Sequence, residues 1–128
     1  MRNEQLQKGL LITASIGLVP IALGYGLMPE LTLTPLYGFS VDNINLTHIM
    51  RAIMGMYIGQ IIIWSLGAFI SELRKPALYC LITFMLGLAG GRILSILIDG
   101  SPHWLLLIYL ALELIIGFTA LKLVLKND

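Results

Sequence analysis

Two long uncharged stretches constrain this chain more than any other feature of its sequence. Residues 9–29 and 52–71 are mostly apolar and contain no Asp, Glu, Lys or Arg. A helix that crosses a bilayer needs about 20 such residues, because each residue adds about 1.5 Å along the helix axis. The two stretches therefore predict two transmembrane helices.

The second half of the chain predicts two more spans, each with a charge inside it. Arg92 interrupts one apolar run and Glu113 the other. Hydrophobic residues make up 58% of the chain and charged residues 12%, against about 25% charged in soluble domains, which excludes an ordinary soluble protein. The prediction is an all-α four-helix transmembrane bundle, one integral membrane domain over 1–128. Its spans are about 9–28, 47–70, 76–98 and 103–125, with an outer loop at 29–46.

The connections and the glycines suggest how the spans pack. The sequence 72–76 predicts a charged turn in which Pro76 starts the next helix, and 99–102 predicts a second tight turn. Gly55 and Gly59, like Gly87 and Gly91, have the GxxxG spacing that allows close helix approach in membranes. Glycine is also simply common in membrane helices, so either explanation fits one pair.

Lys and Arg in the short connections predict the orientation. Basic residues precede the first span, lie between the second and third, and follow the fourth, whereas 30–47 and 99–103 contain none. Basic loops stay in the cytoplasm, so both termini are predicted to be cytoplasmic, in an inner membrane crossed several times. The first span also resembles a signal peptide, but its apolar run is longer than usual, and we expect it to be retained.

Several classes of partner and cofactor are disfavoured. The net charge is +1, which is too small for binding nucleic acid. The single cysteine, Cys80, cannot form an internal disulfide, and His48 and His103 lack the spacing of metal ligands. No glycine-rich phosphate loop is present. We therefore expect no metal and no cofactor.

Polar residues inside the spans repeat at helical spacing and define the candidate site. Each of three spans carries one polar stripe, because residues three, four or seven apart share a helix face. The candidate binding residues are His48, Arg51, Arg92, Ser95, Asp99, Tyr109 and Glu113.

The charges in these stripes predict a buried ion pair. An isolated charge inside a bilayer costs at least about 2.5 to 3.5 kcal/mol, so the stripes should face one another. Arg51 and Arg92 would then be balanced by Asp99 and Glu113, and Glu113 should contact Arg92, Arg51 or both. Such a cluster equally serves to fix helix register, so a structural role stays open beside a ligand site.

The outer loop is long and unusually apolar. The stretch 29–45, 17 residues long, exceeds the usual connection length, which is typical of functional or docked segments. It either folds over the outer mouth as a lid or forms a surface for a partner or for lipid.

Two motifs carry a resemblance to a known family. Residues 48–59 read HxxRAxxGxYxG and residues 91–102 read GRxxSxxxDGxP. With Glu113, they resemble a family of short four-span bacterial membrane proteins built from a domain of unknown function, over nearly the whole chain. The general design is also similar to DoxX-like and sterol-isomerase-like membrane bundles. That likeness implies an apolar pocket for lipid-like ligands and assigns no residue.

The sequence favours a binding or accessory role. We expect either an accessory subunit of a larger membrane complex, or a protein that binds a lipid-like or anionic small molecule. Membrane lipids are the expected partners, with a larger complex or a homo-oligomer as further options. The alternative is a membrane enzyme in which Glu113 is the general acid or base on a lipid-like or isoprenoid substrate.

Overall fold

The computed structural model describes residues 2–126, in which all regular structure is helical. The predicted domain 1–128 also includes Met1, Asn127 and Asp128, which lie outside the described residues. Over residues 2–126 the elements are α1 (Arg2–Gly26), α2 (Pro29–Tyr37), α3 (Ile44–Phe69), α4 (Ser71–Asp99) and α5 (Trp104–Lys126).

Four of these helices are long and apolar enough to cross a membrane. Among residues 2–126, they are α1, α3, α4 and α5. Their outward faces carry large apolar side chains such as Ile16, Phe69 and Leu97, which a bilayer accommodates and water does not. The prediction of an all-helical chain with four apolar helices is confirmed, and each helix overlaps one predicted span.

The long helices pack as an antiparallel series. α1 packs mainly on α3, α3 on α4, and α4 on α5, while α1 and α5 touch much less. Hydrogen bonds join α1 and α5 at one end of the bundle, where the side-chain amides of Asn3 and Gln7 donate to the Leu123 carbonyl over 3.3 and 3.2 Å. The beginning of α1 and the end of α5 therefore lie at the same end.

The tightest core lies in that same half of the bundle. Its largest fully buried side chains are Trp64, Leu11, Leu78, Leu81 and Val124. Phe84 extends this core by edge-to-face contacts with Trp64 and Tyr57, at ring-centroid distances of 5.3 and 5.2 Å. The opposite half contains α2 and a cavity of about 590 Å³ between helices.

The prediction of an outer loop over 29–46 is wrong, because α2 and the start of α3 lie within it. Pro29 occupies the first turn of α2, where its missing N–H costs nothing. Gly38 ends the helix with a positive φ of 77°, and its N–H donates to the Thr34 carbonyl over 2.9 Å. Leu33 and Val41 are buried, so this segment is docked on the bundle.

The predicted turn at 72–76 is also wrong, because α4 already begins at Ser71 and Pro76 lies inside it. Only Ile70 separates α3 from α4. Arg74 makes this abrupt reversal possible, since its guanidinium donates to the Gly67 and Ala68 carbonyls over 3.1 and 2.8 Å. The last carbonyls of a helix need such donors.

The helices approach each other closely at glycines that do not belong to the GxxxG pairs. A Cβ added at Gly55, Gly59, Gly87 or Gly91 would meet nothing within 4 Å, so these positions do not join helices. A Cβ at Gly67 would instead overlap the Ala77 side chain and lie 3.0 Å from the Leu73 carbonyl oxygen. The contact between α3 and α4 therefore depends on Gly67.

Replacing Gly67 tests this contact. Gly67→Ala should lower the unfolding free energy by about 1–3 kcal/mol, as overpacking does, because α4 has to move away from α3. The unfolding midpoint in detergent, followed by circular dichroism, measures the effect. Gly59→Ala is the matched control on the same helix and should change stability by less than about 0.5 kcal/mol. Equal changes in the unfolding midpoint for the two substitutions would contradict the dependence of the α3–α4 contact on Gly67.

Candidate functional site

A buried salt bridge between α4 and α5 is the centre of the candidate site. Arg92 Nε lies 2.9 Å from Glu113 Oε1 and 3.1 Å from Oε2. The two side chains are 21% and 8% exposed. The predicted contact between Glu113 and Arg92 is confirmed.

The geometry of this pair leaves most N–H groups of the guanidinium available for hydrogen bonds to other groups. Its hydrogen bonds to Glu113 all come from Nε, in the part of the chain that the structure describes. The four N–H groups on the two terminal nitrogens are therefore not used by the carboxylate. The Tyr25 hydroxyl interacts with the guanidinium, and the Tyr109 ring lies 5.7 Å from Arg92 Cζ.

Four of the five tyrosines in the sequence surround Arg92, and we call them the tyrosine cluster. Tyr25, Tyr37, Tyr57 and Tyr109 come from α1, α2, α3 and α5, so each helix other than α4 contributes one. Tyr25 and Tyr57 meet edge to face with ring centroids 5.7 Å apart. Tyr37 and Tyr109 line the same small cavity.

Tyr37 lies on α2, outside the long helices, and keeps its proton firmly. Burial raises the pKa of Tyr37 to about 12, and the neighbouring phenols of Tyr25 and Tyr109 add to the increase. Its ring also meets the His103 ring edge to face at 5.3 Å. At neutral pH the Tyr37 hydroxyl is therefore a hydrogen-bond donor as well as an acceptor.

Three cavities adjoin the salt bridge and the tyrosine cluster. The groove, about 590 Å³, lies between α3 and α4 and includes Arg92 in its wall. The cleft, about 230 Å³, lies between α1 and α5 against α4, and Arg92, Tyr109 and Glu113 line it. The α2 pocket, about 210 Å³, lies between α1 and α2 and reaches Tyr109.

Small residues form the floor of the groove. Gly87 and Gly91, one turn apart on α4, line it, and Met50 and Met56 face them from α3. The GxxxG pair of α4 thus opens a space that larger side chains would fill. Because methionine is flexible and polarizable, the opposite wall suits ligands of irregular shape.

The polar groups around the salt bridge are rich in hydrogen-bond donors. The donors are the Arg92 guanidinium and the four phenols of the tyrosine cluster. Among the described residues that line the groove, the cleft and the α2 pocket, Glu113 is the one carboxylate. Arg92 and Glu113 together carry no net charge. The arrangement is suited to holding an oxygen acceptor without adding a charge.

The predicted cluster of four charges is wrong, because Arg51 and Asp99 do not join the Arg92 pair. Arg51 Nη1 donates to the Gly26 and Leu27 carbonyls over 3.1 and 3.3 Å and so caps the end of α1. Those carbonyls carry the negative end of the helix dipole and attract the nearest cation. Asp99 accepts a hydrogen bond of 2.9 Å from Ser95 and is exposed.

The other predicted site residues are divided between the site and the surface. Ser95 lines the groove, while Tyr109 lines both the cleft and the α2 pocket. His48 is exposed on α3 and does not line these three cavities. Residues of α2 line the α2 pocket, which reaches Tyr109, but they line neither the groove nor the cleft, so a lid over Arg51, Arg92 and Glu113 stays a prediction.

Sequence reasoning missed Tyr25, Tyr37 and Tyr57. Each lies on a different helix, so no spacing along the sequence links them to Arg92 or to one another. The available signal was chemical: a phenol in an apolar helix needs a polar partner for its hydroxyl. Arg92 and Glu113 were the obvious partners in the spans.

Comparison with known proteins places the chain in a family. Residues 6–124 match the family model described as a domain of unknown function, DUF4345. The chain belongs to this family. No curated protein and no solved structure matches this DUF4345 chain. The two sequence motifs and the DoxX-like design stay predictions for this DUF4345 protein.

Removing the charge of Glu113 and removing the charge of Arg92 should lower the unfolding free energy by different amounts. Glu113→Gln leaves a buried guanidinium that stays charged, and should lower the unfolding free energy by about 3–5 kcal/mol. Arg92→Gln should lower the unfolding free energy by less, because the carboxyl group left behind can be neutralised by a proton.

Unfolding of the two single variants and of the double variant, followed in detergent, gives the coupling energy. The double variant should be more stable than Glu113→Gln alone, since it removes the uncompensated charge. Additive losses would mean that the two side chains do not interact.

Proposed function

We propose that this DUF4345 protein binds a lipid-like molecule in the groove, with an uncharged oxygen acceptor on Arg92. A carbonyl of an ester or a ketone is an acceptor of this kind. One observation carries the proposal: within residues 2–126, the hydrogen bonds from Arg92 to Glu113 come from Nε alone, and Arg92 lines an apolar cavity of about 590 Å³.

The size and lining of the groove support a ligand with a hydrocarbon part. Sites for small organic ligands measure about 300–1,000 Å³ and are mostly apolar, with a few polar groups that orient the ligand. Ile53, Met56 and Leu106 supply apolar walls, and Arg92 and Ser95 supply the polar groups. The hydrocarbon would lie along Gly87 and Gly91.

The charge balance supports an uncharged head group over an anionic one. Arg92 is already neutralised by Glu113, so an anion would bring an uncompensated charge into an apolar setting. A carbonyl oxygen accepts from the guanidinium and the phenols without that cost. Between the two ligand types expected from the sequence, the structure therefore favours the lipid-like one.

Two other roles remain as predictions from the sequence. Catalysis by Glu113 would require a substrate in the cleft, since that is the cavity Glu113 lines. Both of its oxygens already accept from Arg92, which makes it a weak base in this arrangement. Action as an accessory subunit or a homo-oligomer depends on partners outside the single chain.

We also propose that the protein resides in an inner membrane with the beginning of α1 and the end of α5 on the cytoplasmic side. The basic residues outside the spans lie at the start of α1, around the α3–α4 reversal and at the end of α5. Antiparallel packing brings these three places to one end of the bundle, as the bonds from Gln7 to Leu123 indicate. That end is the one the positive-inside rule assigns to the cytoplasm.

Reporter fusions test this orientation. A fluorescent protein fused after Lys126 should fold and fluoresce, because export in an unfolded state would prevent fluorescence. An alkaline phosphatase inserted after Ser101 should be active, because that enzyme needs the periplasm. The opposite pattern at both positions would reverse the proposed orientation.

Photolabelling tests the proposed ligand. The probe is the methyl ester of a long-chain fatty acid with a diazirine in its chain, and the comparison is the free acid of the same chain. The ester should label residues of the groove on α3 and α4, with less labelling by the acid. Gly87→Leu should abolish ester labelling, because the side chain occupies the groove floor.

Gly90→Leu provides the matched control. Gly90 lies on the same helix with equally open space around it, but it does not line the groove. Labelling of Gly90→Leu should equal that of the unaltered protein, and both variants should keep the same unfolding midpoint. Ester labelling that survives Gly87→Leu would overturn the proposal.

A further inference from the structure

The cleft between α1 and α5 differs from the groove in its position and in the charge it presents. Gly17 and Ile21 form its α1 side, Leu112 and Ile116 its α5 side, and Glu113 lies in its wall. We infer that this cleft is a second binding site, for a single hydrocarbon chain that ends in a hydrogen-bond donor such as a primary alcohol.

The packing of the long helices creates this space. α1 and α5 touch each other far less than the other neighbouring helices do. The side-chain hydrogen bonds that join α1 to α5 are at Leu123. At 3.6 residues per turn, Leu123 lies about two to three helical turns from Glu113 along α5. Gly17 adds no side chain, and a Cβ there would meet nothing within 4 Å.

Four side chains border both the cleft and the groove: Tyr57, Phe84, Leu88 and Arg92. Phe84 is held in place by edge-to-face contacts with Tyr57 and Trp64. The cleft differs from the groove in its remaining lining, because Glu113, Gly17 and Leu112 line the cleft and not the groove. The ligand inferred for the cleft therefore depends on other residues than the ligand proposed for the groove.

The polar groups of the cleft suit a hydroxyl group, because Arg92 and Tyr109 can donate to its oxygen and Glu113 can accept from its O–H. Glu113 is buried, and its two oxygens share the Nε–H of Arg92. A carboxylate has about four lone-pair positions, so Glu113 retains acceptor capacity beyond this one donor. A hydroxyl group satisfies it without adding charge, whereas a second carboxylate would repel it.

The size of the cleft limits the rest of the ligand. Its volume of about 230 Å³ exceeds the ~150 Å³ of an apolar cavity that binds benzene, and lies below the ~300 Å³ of typical small-molecule sites. One unbranched chain fits this range better than a ring system or two chains. The long helices that flank the cleft are apolar enough for a membrane, so such a chain can enter from the bilayer.

A pair of photolabels that differ only at one end tests the inference. The first is a long-chain primary alcohol with a diazirine in its chain, and the second is the methyl ether of the same molecule, which cannot donate. The alcohol should label residues of α1 and α5 with about tenfold higher apparent affinity, as expected for a hydrogen bond to a charged group. Mass spectrometry of the labelled peptides identifies the site.

Variants of two α1 glycines supply the structural control. Gly17→Leu should abolish alcohol labelling on α1 and α5, whereas Gly9→Leu, equally open but not part of the cleft lining, should leave it unchanged. An excess of the unlabelled methyl ester of a fatty acid should not displace the alcohol from the cleft. This result is expected whether or not the ester binds the groove. Equal labelling by alcohol and ether, or alcohol labelling that maps to the groove, would overturn the inference.

Discussion

The need to neutralise a guanidinium among apolar helices governs the arrangement around Arg92. A charge left alone in hydrocarbon costs several kcal/mol, and an arginine cannot lose its proton to avoid that cost. Glu113 meets this need from α5 through a single donor nitrogen. The pair therefore joins α4 to α5, while the rest of the guanidinium remains available to the tyrosine cluster and the groove.

The three arginines of the long helices α3 and α4 are satisfied in different ways. Arg92 is paired with a carboxylate, whereas Arg51 and Arg74 donate to the last carbonyls of α1 and α3. Capping a helix end adds no opposite charge, because the carbonyls carry only the partial charge of the helix dipole. Arg92 therefore belongs to a buried ion pair, whereas Arg51 and Arg74 stabilise connections between helices. This difference makes Arg92 the centre of the candidate site.

The two halves of the bundle have different packing. At the end where α1 begins, Trp64, Leu78 and Leu81 fill the space between helices, and Gly67 allows α3 and α4 to meet closely. Towards the other end, Gly87 and Gly91 leave a groove, and weak contact between α1 and α5 leaves a cleft. A firmly packed half can support cavities in the other half, since the helices keep their relative positions.

The sequence by itself determined the helical class, the four long apolar helices and the need for Glu113 to contact an arginine, Arg92 or Arg51. These depend on local composition and on the cost of a lone charge in hydrocarbon, which hold for any packing. Tertiary structure alone decided that α2 forms, that Arg51 caps α1, and that Tyr25, Tyr37 and Tyr57 surround Arg92. Each of these outcomes depends on which helix lies beside which, and helical spacing reports only the face of one helix, not its neighbour in space.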